Sequence, residues 1–443
     1  MVDLAISSER VITPDGVIKA TVLIKDGRIA DIVNEQLTGD FSVINAGNKV
    51  VMPGVIDPHV HINEPGRTDW EGFDTATKAS IAGGITTLVD MPLNSSPVTT
   101  TATAFGEKIK ATKGQLHTHC GFWGGVVPGN EKEIAALIEK GVLGFKAFLT
   151  HSGIDEFPNV TEEDLRKVMP TIAKHGLPLL VHCELSEETE NRPSTNDTSY
   201  QNYLLSHPKK WEDDAIALMI RLCEEFNCRT HIVHLSSADS IDQIVKAKQK
   251  GLPLTVETGQ HYLFFNAEDI KDGHTQFKCA PPIREKANNE KLWVALKKGI
   301  IDFVATDHSP APPAMKEIQS GNFMKAWGGI SSIQFALPVL WTAAKKHQCS
   351  LMDLGKWLCE KPAVLAGQHN SKGKIAKGYD ADIVVWDPDQ SFTVTEDNIY
   401  HKHKLTPYLN EELYGVVEQT FLKGEKVFDK GKFILNKGNL ILR

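Results

Sequence analysis

The sequence predicts an α/β fold, a (β/α)8 TIM-type barrel with a small β-sandwich domain assembled from both chain termini. In the middle of the chain, eight apolar strand candidates alternate with helical stretches, and eight strands close a barrel of this type. Both ends of the chain instead contain short strands joined by hairpin turns. We therefore expect residues 1–52 to form the N-terminal part of a β domain, 53–370 to form the catalytic barrel, and 371–443 to complete the β domain.

Hairpin signals mark both β-rich ends. Strand candidates at 21–24 and 28–32 flank a Lys-Asp-Gly turn at 25–27, and an Asp-Lys-Gly turn stands at 429–431. A further strand is predicted at 381–386. Because these strands lie far apart in sequence, they can share one domain only if the chain termini meet in space.

The barrel elements follow from hydrophobic pattern and length. The predicted strands are apolar runs at 51–62, 85–91, 120–127, 144–149, 178–183, 230–235, 254–257 and 302–306. Helices are predicted at 70–82, 161–175, 211–226 and 237–250. The interval 258–286 is too long for an ordinary βα loop, so we expect it to fold over the open end of the barrel.

The composition is that of an ordinary globular protein. The 443 residues carry a net charge of −8 and are 41% hydrophobic, with no basic patch for nucleic acid and no apolar run of membrane-spanning length. The N-terminal residues lack the pattern of a signal peptide, and the seven cysteines are scattered and odd in number. We expect a cytoplasmic protein without disulfides that acts on a small molecule.

Histidines at the ends of predicted strands are the most informative residues. His59 and His61 lie two residues apart where the first strand ends, so both side chains lie on one face and can bind one metal ion. His182 ends the fifth strand, His234 the sixth and Asp307 the eighth. The carboxyl ends of all strands in such a barrel meet at one open face. These five side chains are therefore candidate metal ligands.

Other polar residues have simpler explanations. His117 and His119 are also two residues apart, but they begin a strand and should face the closed end of the barrel. His231 has the opposite parity to the candidate ligand on its strand, which favours a core or surface position. Asp307 alone could cap a helix. Lys146 lies within the fourth strand, where a buried ammonium is costly and has no lone pair for a metal.

This set of residues resembles the metal centre of the cyclic amidohydrolases in the amidohydrolase superfamily, and the resemblance covers nearly the whole chain. In that family, the lysine at the position of Lys146 reacts with carbon dioxide to give a carbamate, N6-carboxylysine, which bridges two metal ions. The resemblance implies that one ion is held by His59, His61 and Asp307 and the other by His182 and His234. It also implies two divalent ions per subunit, zinc or else cobalt, manganese or iron. A hydroxide bridging the ions would attack the substrate, and Asp307 would be the catalytic proton carrier.

Four further motifs narrow the resemblance to the allantoinases within this superfamily. They lie at 67–72, 90–94, 279–284 and 324–330. Dihydroorotases place a Leu-Arg pair directly after the first two histidines, whereas this chain has Ile-Asn at 62–63. The resemblance therefore implies hydrolytic opening of the hydantoin ring of allantoin to give allantoate, in purine breakdown.

The candidate substrate-binding residues come from the same motifs. Hydantoinases and dihydropyrimidinases carry a tyrosine five residues after the metal lysine, where this chain has His151. That histidine either donates a hydrogen bond to the developing oxyanion or is a solvated loop residue. The amide of Asn94 can bind a ureide carbonyl or form an Asx turn. The full predicted set is Asn94, His151, Cys279, Ala280, Ser309 and Gly328.

Two alternative functions stay open at this point. The nearest enzyme alternative is a hydantoinase or dihydropyrimidinase. A scaffold protein of the same fold that has lost its metal ligands is disfavoured, because every ligand position is filled. By analogy with these relatives, which are commonly tetramers, we predict a homotetramer.

Overall fold

The computed structural model describes residues 2–34, 39, 41–186 and 196–443. The strands are β1 Leu4–Thr13, β2 Gly16–Lys25, β3 Arg28–Val33, β4 Ser42–Asn45, β5 Val50–Pro53, β6 Val55–Val60, β7 Ile85–Asp90, β8 His119–Phe122, β9 Gly124–Gly125, β10 Phe145–Phe148, β11 Leu179–His182, β12 Thr230–Ile232, β13 Leu254–Gly259, β14 Phe303–Ala305, β15 Ile383–Thr393, β16 Glu412–Leu422, β17 Glu425–Asp429 and β18 Lys432–Phe433. The α-helices are α1 Phe73–Ala82, α2 Ala102–Ala111, α3 Glu133–Lys140, α4 Glu162–Lys174, α5 Tyr200–Leu205, α6 Lys209–Phe226, α7 Ile241–Gln249, α8 Gln260–Phe264, α9 Lys286–Lys297, α10 Ala336–Lys346, α11 Leu351–Gly355 and α12 Lys361–Leu365.

Parallel strands β6 to β14 form the barrel. Two runs, β6-β7-β8 and β9 to β14, join at Trp123, whose backbone N–H donates to the carbonyl of Asp90 at 3.0 Å. The barrel closes where the N–H of His61 donates to the carbonyl of His308 at 2.8 Å. Each of the eight predicted strand positions is occupied, with β8 and β9 sharing one position. The predicted barrel is therefore confirmed.

The first predicted barrel strand, 51–62, is in fact two strands. β5 belongs to the terminal sheet and β6 to the barrel, and Gly54 separates them. A Cβ atom at Gly54 would lie 2.1 Å from the Thr86 hydroxyl oxygen, so only glycine permits this close approach to β7. The sequence contains no sign of this contact, because Thr86 comes from another strand.

The two chain ends meet in a single terminal sheet. Its order is β18-β17-β16-β15-β5-β1-β2-β3, with β4 pairing β1. β5 pairs with both β1 and β15, and so joins the N-terminal strands to the C-terminal strands. Both predicted hairpins are present, between β2 and β3 and between β17 and β18. The β domain built from both termini is confirmed, while its boundaries at 52 and 370 stay predictions.

The predicted helices lie close to the observed ones. Helix α1 begins three residues later than predicted, and α6 begins two residues earlier. The side chain of Thr161 caps α4 in a reciprocal pair with Asp164. A 3-10 turn, Ala238–Ser240, precedes α7 within the predicted helix 237–250. Within the described residues, no helix combines the length and the apolar character that crossing a bilayer requires.

Candidate metal centre and substrate cavity

The carboxyl ends of β6 and β14 are tied together by a buried aspartate. Asp57 accepts hydrogen bonds from the backbone N–H groups of His59 at 3.2 Å and Thr306 at 3.4 Å. It also accepts one from the Thr306 hydroxyl. Burial raises the pKa of Asp57 to about 7. This link fixes His59 beside Asp307, the residue that follows Thr306.

The six predicted metal ligands lie together at this end of the barrel. Asp307 Oδ1 is 3.2 Å from His59 Nε2 and 3.6 Å from His61 Nε2. The rings of His182 and His234 have centroids 4.6 Å apart, and His234 is 5.4 Å from His59. Ligand atoms of His59, His234 and Asp307 all lie within 4.8 Å of one another, a spacing that can hold a metal ion.

The backbone at two of these residues is held in a strained conformation. His234 has φ of 37° and Asp307 has φ of 46°, in the left-handed region that residues other than glycine rarely adopt. Each residue lies just beyond the end of its strand. Such strain concentrates at functional sites, where the surrounding structure holds it in place.

Buried carboxylates hold the outer nitrogens of two histidines. His59 Nδ1 hydrogen-bonds with Glu257, and His182 Nε2 lies 2.7 Å from Glu184 Oε2. In metal sites such pairs fix the ring orientation and leave the other nitrogen free for the metal. Burial opposes the charge of Glu257, but His59 and His231 outweigh that effect and lower its pKa to about 2. These contacts leave the other ring nitrogen of each histidine free.

Lys146 lies in β10 and is completely buried. Its Nζ atom has no hydrogen-bond partner among the described residues, and it lies 4.7 Å from the centre of the Phe148 ring. Burial lowers the pKa of Lys146 to about 8. An amine with a lowered pKa is readily deprotonated and can add carbon dioxide, and the resulting anionic oxygens suit divalent ions. The donor set therefore fits a metal centre that includes a carbamate.

The cavity above this centre has a volume of about 360 Å³. Five of the six predicted substrate-binding residues line it: Asn94, His151, Ala280, Ser309 and Gly328. Cys279 does not line it, because its side chain is buried behind the wall, where burial raises the pKa of the thiol to about 12.

Comparisons with known proteins agree with this geometry. The sequence model of the amidohydrolase family matches residues 50–427, and that of the allantoinase composite domain matches residues 4–45. The chain belongs to the amidohydrolase family.

Individual relatives match along nearly their whole length. Allantoinase of Arabidopsis thaliana is 45% identical over 442 residues, covering 95% of this chain and 87% of that protein. Allantoinase of Streptomyces avermitilis is 44% identical over 428 residues, covering 96% and 95%. Among solved structures, L-hydantoinase (dihydropyrimidinase) from Arthrobacter aurescens has a TM-score of 0.94 and 31% identity, and the match covers 100% of both chains.

Asn94 and His151 line the cavity of this amidohydrolase, but each makes contacts that its sequence motif did not indicate. Asn94 places its amide nitrogen 3.3 Å from His61 Nδ1, so it contacts a predicted metal ligand as well as the cavity. His151 lies at the mouth with a side chain that is 61% exposed, and its Nε2 is 3.4 Å from Asp155 Oδ1. Its Nδ1 accepts a hydrogen bond from the N–H of Gly153 at 3.1 Å. These contacts favour a loop role for His151.

The structure also places residues that the sequence analysis missed. Asp57, Glu184 and Glu257 contact the predicted metal ligands His59 and His182 and were not themselves predicted. A carboxylate at the carboxyl end of an apolar strand was the available signal for Glu257. The core or surface position predicted for His231 agrees with its contacts. Its Nε2 lies 3.1 Å from Glu257 Oε2, and His231 does not line the cavity.

The remaining histidine pair lies outside the centre. His117 Nε2 is 2.9 Å from Asp74 Oδ1, and His119 Nε2 is 3.6 Å from Asp382 Oδ1. Neither lines the cavity.

Proposed function

We propose that this chain is an allantoinase that opens the hydantoin ring of allantoin by hydrolysis to give allantoate. One observation carries the proposal. All six ligand residues of a cyclic amidohydrolase converge beneath one cavity, in a chain 45% identical to an allantoinase along nearly its whole length. The match of residues 4–45 to the allantoinase composite domain supports the same substrate.

The cavity suits a neutral ring with a ureido arm. Among the described residues, no arginine lines it, so it lacks the side chain with which dihydroorotases hold a carboxylate. Its wall offers amide, hydroxyl and backbone groups at Asn94, Ser309, Ala280 and Gly328. Such groups can pair with the alternating N–H and C=O groups of a ureide. Lys278 and Lys325 also line the cavity, but Lys278 Nζ donates to the carbonyls of Met324 and Ala326.

Asp307 is the proposed proton carrier. Burial opposes its charge, but His59 and His61 hold the pKa of this carboxyl well below its usual range, so the carboxylate is ionised and carries no proton before the reaction. It takes a proton from the attacking water and returns it to the departing amide nitrogen, as base and then acid. Two divalent ions, when bound here, activate that water and polarise the carbonyl under attack.

The identity of the ions and of the modified lysine is part of the proposal. Zinc suits the imidazole nitrogens and carboxylate oxygens, although cobalt, manganese or iron also fit such donors. The buried and unpartnered Nζ of Lys146 supports N6-carboxylysine as the bridging ligand. The homotetramer and the cytoplasmic location stay predictions.

A hydantoinase or dihydropyrimidinase is the second candidate, favoured by the full-length structural match to such an enzyme. Against it, His151 stands where those enzymes keep a tyrosine. A scaffold role is disfavoured because the ligand set is complete.

The test is to offer purified protein allantoin, hydantoin, dihydrouracil and dihydroorotate side by side. We expect the highest kcat/KM with allantoin. Lys146→Ala serves as the control for contaminating activity. A preference of about tenfold or more for hydantoin or dihydrouracil would replace the allantoinase assignment by the second candidate.

A further inference from the structure

Residues 278–284, Lys-Cys-Ala-Pro-Pro-Ile-Arg, form a segment that we call the strap, and two of its residues line the cavity. Because the strap belongs to no sheet, its carbonyl groups lack the N–H partners that a neighbouring strand would supply. Side-chain hydroxyl groups take that place. Each lies 2.7 Å from its acceptor, in the pairs Tyr203 to Cys279 O, Tyr262 to Pro281 O, Ser236 to Pro282 O and Tyr200 to Ile283 O.

Other groups satisfy the carbonyls at the two ends of the strap. The Lys278 carbonyl accepts from the buried Lys316 Nζ at 3.0 Å and from the N–H of Gly329 at 3.0 Å. The Arg284 carbonyl accepts from the N–H of Ala267 at 2.9 Å.

The carbonyl of Ala280 is the exception. Within the part of the chain that the structure describes, it accepts no hydrogen bond, although every other carbonyl from 278 to 284 does. Ala280 is also the strap residue, besides Lys278, that lines the cavity. The strap thus leaves one backbone acceptor without a donor, on a residue that lines the cavity.

The hydroxyl donors are buried and come from three separate parts of the barrel. Tyr200 and Tyr203 lie on α5, Tyr262 lies on α8, and Ser236 follows β12. Burial raises the pKa of all three tyrosines well above the usual range, so their hydroxyls stay protonated as donors. Removing one leaves a buried carbonyl unsatisfied, which costs more than a lost exposed hydrogen bond.

We propose that the hydroxyls of Tyr200, Tyr203, Ser236 and Tyr262 are positioning groups that hold the strap so that the Ala280 carbonyl stays free for an N–H of the substrate. The inference rests on the proposed function for the identity of that substrate, a cyclic ureide. These residues act through the strap and take no part in the chemical step. Their contribution should therefore appear in substrate binding and leave metal binding unchanged.

The sharpest variants are Tyr200→Phe and Tyr262→Phe, singly and combined. Neither residue lines the cavity, so a change in substrate binding cannot come from a lost direct contact. Thr420→Val is the matched control, since the buried Thr420 hydroxyl also donates to a backbone carbonyl, that of Ile81, at 2.7 Å. Thr420 lies in the terminal sheet and does not line the cavity.

We expect each tyrosine variant to raise KM for allantoin about tenfold, with kcat within about threefold of wild type and metal content unchanged. The double variant should raise KM further. The tyrosine variants and Thr420→Val should lower the melting temperature to a similar extent. Thr420→Val should leave KM unchanged.

Two failures are distinguishable. If the wild-type protein does not turn over allantoin, the proposed function fails. If the wild-type protein is active but both tyrosine variants keep its KM, as Thr420→Val does, the positioning role is wrong. A loss confined to kcat with reduced metal content would also overturn it, because it would place these hydroxyls in support of the metal centre.

Discussion

Replacing Glu257 tests whether the carboxylates around the metal ligands set metal affinity. Glu257 is fully buried and interacts with His59 Nδ1, with His231 Nε2 at 3.1 Å and with the N–H of His234 at 3.3 Å. Glu257→Gln keeps the volume but removes the charge and turns one acceptor oxygen into a donor. His231 can accommodate that donor by changing tautomer, because its Nδ1 lies 2.8 Å from the Thr255 hydroxyl, which can either donate or accept.

The magnitude follows from this geometry. In Glu257→Gln the remaining side-chain oxygen can still accept from His59 Nδ1 and from the backbone N–H of His234. Only the first of these bonds orients a ligand ring, so the expected loss in metal binding is the charge assistance of that one hydrogen bond, about 1–1.5 kcal/mol. That free energy corresponds to about a tenfold weaker metal affinity. Glu257→Ala removes every contact and should approach the loss of about 100-fold seen when such outer partners are removed.

The assay is a competition titration of the apoenzyme with Zn²⁺ against a chelator of known affinity. Glu418→Gln is the control, since Glu418 pairs with Lys49 and Lys430 in the terminal sheet. If Glu257→Ala binds zinc within about threefold of wild type, far short of that loss, the carboxylate does not orient His59 for a metal.

Three substitutions test the centre and the cavity mouth directly. Lys146→Ala should lose most bound metal and nearly all activity, and short carboxylic acids should restore part of the rate; wild-type metal content and rate would exclude the carbamate. Asp307→Asn should keep part of the metal but lose about 10²–10⁴-fold in kcat, the contribution of a general acid and base, and a rate near that of wild type would remove its proton-carrying role. His151→Ala should change kcat by less than about threefold, because the exposed ring already pairs with Asp155; a loss of about 10²-fold with intact metal would restore the oxyanion-donor interpretation.

The sequence was most informative where a local pattern determines the three-dimensional position. The period of two along a strand places His59 and His61 on one face, and the barrel rule brings them to Asp307 although it lies at the other end of the barrel sequence. The same reasoning separated His231 from His234. Fold class and candidate ligands could therefore be predicted together.

The sequence was uninformative where a role depends on a contact between distant residues. Glu257 meets His59 across 198 positions, and no spacing rule connects them. The split at Gly54 depends on the approach of Thr86 from a neighbouring strand. Cys279 belongs to a motif that faces the cavity, yet only the packing shows that its thiol is buried behind the wall.

Metal reconstitution shows whether allantoin hydrolysis depends on two metal ions in each chain. The protein is stripped with a chelator, then titrated with Zn²⁺ in bicarbonate while allantoin hydrolysis and bound metal per chain are measured together. We expect no activity in the stripped protein and full activity at about two ions per chain, since both ions act in catalysis. Full allantoin turnover with one ion per chain, or with none, would contradict this expectation.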